Sequence, residues 1–261
     1  MTKDITHILD GWEYDPAKVS ARWINGEDGG TKIQLRLDLG LFQMEPDGRP
    51  DGQRPRGYPT LLDYYLTLER TSRGRPFPKL DEEACAELQQ EAVQYYYRYL
   101  ALYALRNYEG VIRDTKHNMM VAELVERHAS DEELAWEFLQ FFPYMRMMNA
   151  RAQADQFTAD DRSEFEMAVL ALEQGLADIR SFWQKHDDAE YEADITTDEE
   201  EVLEDLLEEL RQRKPKSQSE RLKEDLQRAI ASENYEKAAT LRDALRRMEK
   251  KDVKPHRQDV S

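Results

Sequence analysis

The sequence predicts a mostly α-helical chain with a small N-terminal β-hairpin, an antiparallel helical bundle as its body and a two-helix hairpin at its C-terminus. Three observations carry this prediction. Apolar residues alternate with period two only between Lys18 and Met44, and apolar stripes at helical spacing fill most of the remainder. Pro and Gly gather in a few connectors, chiefly between Glu45 and Thr60.

In the first strand of the expected β-hairpin, Val19, Ala21 and Trp23 alternate with polar residues. In the second, Ile33, Leu35, Leu37, Leu39 and Leu41 alternate with Lys32, Gln34, Arg36 and Asp38. The turn falls at Gly26 to Gly30, where glycines supply positive φ angles. An isolated two-stranded hairpin is marginal in water, so its leucine-rich face must pack on the helices that follow. Gly40, Phe42 and Met44 on the opposite face suggest that the end of the second strand is covered on both sides.

The next segment, EPDGRPDGQRPRGYPT, cannot form a helix or a central strand. Two readings stand for it. Its turns and arginines hold an anion or an acidic side chain, or it is a connector in which Asp47 and Asp51 close Asx-turns. Its acidic spacing does not fit an EF-hand.

A short helix is expected from Thr60 to about Arg70, then a second basic connector, SRGRPFPK, then helices to about His186. Asp81 caps a run with Leu88, Val93, Tyr96, Leu100 and Tyr103 on one stripe. The run breaks near Arg106 and Asn107 and resumes through Val111, Ile112, Met119, Val121, Leu124 and Val125. Further helices are expected over 131–151 and 160–186. The aromatic stripe Tyr95, Tyr96, Tyr97, Tyr99 and Tyr103 followed by RNYEGVIRD resembles a tetratricopeptide hairpin turning at Asn107 and Tyr108, which makes a TPR-like body the alternative to a plain bundle.

Residues 187–211 then become strongly acidic. The first half reads as a solvated linker; Val202, Leu203, Leu206, Leu207 and Leu210 define a narrow apolar stripe on an amphipathic helix over 198–213, a stripe that wants a partner. Pro215 ends that helix in a flexible basic tether. The segments are therefore 1–79 (hairpin, loop and short helix), 80–186 (helical body), 187–218 (acidic linker and helix), 219–251 (terminal hairpin) and 252–261 (a tail expected to be disordered).

In the terminal hairpin Leu222, Leu226, Ala229 and Ile230 form one apolar face, and Tyr235, Ala238, Ala239, Leu241, Leu245 and Met248 form another, joined at Ser232, Glu233 and Asn234. Short helices need each other's burial, so the two should fold back on themselves. ENYEKAATLRD at this turn echoes NYEGVIRD at Asn107. In both, the Asn is expected to take the left-handed conformation and the Tyr to cover the seam between helices.

This order of residues closely resembles the UVR motif, found at the C-terminus of UvrB, within UvrC and in activators of bacterial protein-arginine kinases. The resemblance implies a protein-docking hairpin in a bacterial setting. Tyr235, Leu241 and Leu245 would hold the hairpin together, while Glu236, Lys237, Arg242 and Arg246 line its exposed edge and select a UVR-bearing or Clp-type partner, or a second copy of the chain.

Composition narrows the alternatives. The 261 residues include 54 acidic and 37 basic side chains, a net charge of -17, which disfavours nucleic-acid binding by the whole surface. A nucleic-acid-associated accessory of excision repair therefore depends on a local basic patch, with Arg49, Arg54, Arg56, Arg73 and Arg75 as candidate phosphate contacts. The single cysteine, Cys85, excludes a disulfide framework and a CxxC zinc site, in contrast to the kinase activators. No Walker-type loop occurs, and the five histidines are scattered. Asp114 and His117 are one helical turn apart and form the nearest thing to a dyad; the same helix, with Arg113, Lys116 and His117 near one face and Asp114 and Asn118 near another, is otherwise a weak ligand candidate. We expect no catalytic residue, metal or cofactor. The absence of a signal-like or membrane-spanning apolar run makes a cytoplasmic protein the expectation.

Overall fold

A computed structural model describes residues 4–72, 77–159, 164–186, 196–213 and 218–252. Arg73 and Arg75, the acidic stretch 187–195, the tether around Pro215 and the tail from residue 253 lie outside the described residues. The chain divides into two compact units, Met1–Arg211 and Gln212–Ser261.

The first unit opens with a short helix α1 (Thr6–Leu9) and three antiparallel strands, β1 (Ala21–Asn25), β2 (Thr31–Arg36) and β3 (Leu41–Met44), in the order β1-β2-β3. The expected second strand is thus two strands. Leu37 and Gly40 exchange backbone hydrogen bonds, and Asp38 accepts from the Leu39 amide, so a tight turn forms where a continued alternation was expected. Leu39 sits at its tip, 90% exposed, because the turn removes it from either sheet face. Trp23 pairs with Ile33, and Leu35 with Phe42. Ile33, Leu35 and Met44 enter the helical core. The other face is covered by the N-terminal segment: the Arg22 guanidinium lies 4.0 Å over the Trp12 ring and donates to the Ile8 carbonyl, and Arg36 donates to the Trp12 carbonyl.

The helices are α2 (Leu61–Thr71), α3 (Glu82–Ala104), α4 (Tyr108–His128), α5 (Glu132–Leu139), α6 (Phe142–Thr158), α7 (Phe165–His186) and α8 (Thr196–Arg213). Their starts follow from capping. The side chains of Thr60, Asp81, Asn107 and Asp131 accept the amides of Asp63, Ala84, Gly110 and Leu134. Helix α4 packs on both α3 and α6, and α6 on α7. The α6–α7 crossing is close enough that a Cβ on Gly175 would stand 2.6 Å from that of Ala150. The pair α3–α4 spans Glu82 to His128, longer than the tetratricopeptide unit of about 34 residues.

Helix α8 belongs to this unit. Leu203, Leu207 and Leu210, expected to await a partner, are buried in the same core as α6 and α7. Arg180 on α7 pairs with Glu200 and Glu204, and Arg211 pairs with Glu173. The acidic face stays in water while the leucines are covered, so the stripe is spoken for within the body.

Elsewhere in the first unit, Cys85 on α3 is fully buried, and that burial pushes its thiol up to about 11. The second unit contains α9 (Gln218–Ala231) and α10 (Tyr235–Asp252), packed on each other, with Ala229, Ala238 and Leu245 buried among the described residues. Met248's side chain lies outside what is described.

Candidate functional site

The turn between α9 and α10 is made by backbone hydrogen bonds. Glu233 donates to the Ile230 carbonyl at 3.0 Å and Asn234 to the Ala229 carbonyl at 2.8 Å, the paired bonds of a Schellman motif. The residue in the left-handed conformation is Glu233, at φ 56°, and not Asn234. Asn234 instead caps α10, its Oδ1 accepting the Lys237 amide at 3.2 Å. An Asn side chain is worth more as an N-cap acceptor than its backbone is in the left-handed region, which is why the expected assignment is displaced by one residue.

Tyr235 follows the cap as the first residue of α10 and is 69% exposed, so it does not hold the hairpin together. Ile230, in the last turn of α9, is 53% exposed. Leu245 is buried and Leu241 half-buried; Leu222 and Leu226 on α9 are half-buried too. Glu236, Lys237, Arg242 and Arg246 are exposed, as the expected edge requires. Arg242 lies 3.5 Å from Asp243, a solvent-exposed pair of little energetic weight. Ile230, expected with Leu222, Leu226 and Ala229 on the apolar face of α9, is not covered there.

The signal that finds Ile230 lies in the body. Between α3 and α4, Arg106 is left-handed at φ 57° and donates to Tyr103; Asn107 donates to Leu102 and caps α4. Tyr103 and Tyr108 there hold the positions of Ile230 and Tyr235. Their rings meet at 5.9 Å, and α6 closes over them: Asp155 accepts from the Tyr103 hydroxyl and Arg151 stacks 4.8 Å from its ring. The same edge that a third helix covers in the body is more than half exposed in the terminal hairpin.

Two arginines of the loop are paired with the chain's own carboxylates. Arg49, with a side chain only 9% exposed, stands 3.7 Å from Glu91 and 3.2 Å from Asp51. Arg56 pairs with Glu87, bonds the Tyr65 hydroxyl and lies over the Tyr64 ring. Arg54 is exposed. Arg49 and Arg56 are therefore engaged within the chain, because hydrogen bonds from α3 to the loop, Gln94 to Asp51 and Tyr95 to Gly48, bring them beside Glu91 and Glu87. Of the two readings of the loop, its arginines do hold an acidic side chain, and Asp51 also closes an Asx-turn onto Gln53.

Beneath the loop, Arg98 and Asp114 form a fully buried bidentate pair at 2.6 and 2.8 Å, and Arg98 also donates to the carbonyls of Glu45 and Gly48. Arg113 links Asp114 to Asp47. Asp114 and His117 do not form a dyad. The His117 ring stacks on Tyr95, and its Nε2 lies 3.3 Å from Glu91 Oε1 without hydrogen-bond alignment. Glu91 accepts the Leu61 and Leu62 amides at the start of α2. Burial pushes its carboxyl upward, but the imidazole and those two amides outweigh that and hold it below the usual range.

Among the described residues no group of three or more His, Cys, Asp and Glu side chains is placed to hold a metal ion, and no helix is long and apolar enough to cross a membrane. At the C-terminus stands the two-helix hairpin of α9 and α10. Residues 216–251 match the family described as the UvrB/uvrC motif (UVR), a non-catalytic interaction module that implies a protein partner. No curated protein and no solved structure gives a significant match.

Proposed function

We propose that this chain is a non-enzymatic adaptor of the cytoplasm, whose terminal hairpin docks a helical element of a protein partner, either a UVR-bearing or Clp-type protein or a second copy of itself. The observation that carries the reading is the exposure of Ile230 and Tyr235 at an edge which, in the equivalent turn of the body, is occupied by a packed helix. Two large side chains exposed at one helix turn give a partner about 1.5–3 kcal/mol per fully buried side chain. The flanking charges Glu236, Lys237, Arg242 and Arg246 would set approach rate and partner choice more than affinity. The single long hairpin α3–α4 supports a TPR-like reading of the body no further than its turn. The repair-accessory reading has only Arg54 left among the described loop arginines that is not held by a carboxylate of the chain.

Affinity capture with three forms of the protein tests the proposal: the full chain, a chain ending at Pro215, and an Ile230→Ser/Tyr235→Ser variant. Partners recovered by the first should be lost from the other two, and sedimentation should reveal self-association if the partner is a second copy. Equal recovery by all three forms, with no change in sedimentation, sinks the idea.

A further inference from the structure

A cleft of about 560 Å³ opens in the first unit between α3, α4, the end of α5, the start of α6 and the first turn of α8. That volume falls in the range of small-molecule sites, roughly 300–1,000 Å³. Tyr96, Phe138, Phe141 and Tyr144 supply aromatic walls, and Phe141 is more than half exposed at the edge. This cleft is separate from the hairpin and does not depend on the adaptor reading.

Five polar side chains interrupt the aromatic lining, Gln89, Asn118, Glu137, Gln140 and Glu199, and three of them bear on what the cleft would hold. Asn118 on α4 is only 6% exposed. Its Nδ2 donates to the Ala92 carbonyl at 2.8 Å, which fixes the amide's orientation, since a carbonyl cannot accept from Oδ1. Oδ1 is thereby left with no hydrogen-bond partner. Glu199 Oε2 also has none, and desolvation raises that carboxyl above its usual range. Glu199 is partly exposed, so its carboxylate can turn toward a bound group. Glu137 adds a second carboxylate, and no Lys, Arg or His is among the described residues that line the cleft.

Orphaned acceptors, two carboxylates and electron-rich ring faces ask for a ligand that brings donors, positive charge and apolar bulk together. We propose that this cleft binds a small organic cation, an ammonium group carried on an apolar or aromatic body. The ammonium lies against Glu199 and Glu137 beside the Tyr96 and Tyr144 faces, and the body fills the space toward Phe138 and Phe141.

Three probes of closely similar shape test this: 2-phenylethylammonium, 2-phenylethanol and 3-phenylpropionate, each titrated calorimetrically into the full chain. The ammonium should bind roughly tenfold tighter than the alcohol, and the carboxylate should give no signal. A net charge of -17 attracts any cation, so the deciding comparison is with variants. Glu199→Gln and the exposed Glu137→Gln should each weaken the ammonium roughly three- to tenfold and leave the alcohol unchanged. Phe141→Ala should weaken both. Thermal melts establish that each variant is folded, and Glu137→Gln, at a solvent-facing position, keeps the test valid if Glu199→Gln is not. No ammonium binding at millimolar concentration, equal affinity for ammonium and alcohol, or ammonium binding indifferent to the Gln variants overturns the proposal.

Discussion

Arg106 and Glu233 occupy the same position in two turns with the same hydrogen bonds: each is left-handed, each follows the last residues of a helix, and each precedes an Asn that caps the next helix. The shared register extends into the helices, where Leu102 and Ala229, Val111 and Ala238, and Asn118 and Leu245 are buried at matching positions. Both turns place a residue with a Cβ where glycine is cheapest. Glu233→Gly should therefore stabilise the terminal hairpin by about 1 kcal/mol, and Asn234→Ala should cost a similar amount by removing the cap. Circular dichroism of the full chain in urea, read on the hairpin's transition, checks both; a destabilising Glu233→Gly contradicts the turn described.

The Arg98–Asp114 pair has no solvent to fall back on. Asp114→Ala leaves a buried guanidinium without its counter-charge and also releases Arg113, so the loop at Glu45 to Gly48 loses its anchor. We expect a loss of about 3–5 kcal/mol, against a smaller cost for an Arg98→Met/Asp114→Leu double replacement. Denaturant melts of the two variants, compared with each other, measure the difference.

Glu91 gives stability a pH dependence of known sign. Its folded carboxyl titrates below the usual 4.5, so its contribution is complete above that value and drains away as pH falls through the lower, folded value. Glu91→Gln should cost about 1–3 kcal/mol at neutral pH, because one amide of α2 is left facing an NH₂ group. Wild type should lose more stability than the variant on acidification, and the two curves should converge in acid. Curves that stay parallel count against the pairing.

Leu203→Ala tests whether α8 is part of the body. Leu203 is fully buried beside Gly175, and its truncation should cost the main transition about 2–5 kcal/mol. A helix that merely tethers the hairpin would give no shift in that transition.

Much of this architecture could be read from the residues because periodicity and capping are local. The strand region, the Asp81 and Asn107 boundaries and the two terminal helices all follow from neighbours in sequence. What escaped reading depended on distant partners. Helix α8 looks solvated because its charge density is local information, whereas the surface that covers Leu203, Leu207 and Leu210 is supplied by other helices. Arg49 looks like an anion contact until α3 brings Glu91 beneath it. The break at Asp38 and Leu39 was hidden by leucines that keep the alternation through a turn, and a tight turn needs only one Asx side chain and one Gly to override it. At the hairpin, spacing placed Leu241 and Leu245 inward, as they are, but put Ile230 and Tyr235 with them, and both are exposed. Ile230 needed the body's equivalent turn, with its covering helix, as a template.

Cys85 has a practical consequence. A sulfhydryl sealed in α3 and kept protonated at neutral pH reacts slowly with maleimides and iodoacetamides, so the native chain is nearly blank to such reagents. A cysteine placed at an exposed position such as Lys237 would then carry a fluorophore or crosslinker at one address. Photo-crosslinking from there would report directly on whatever settles against the hairpin.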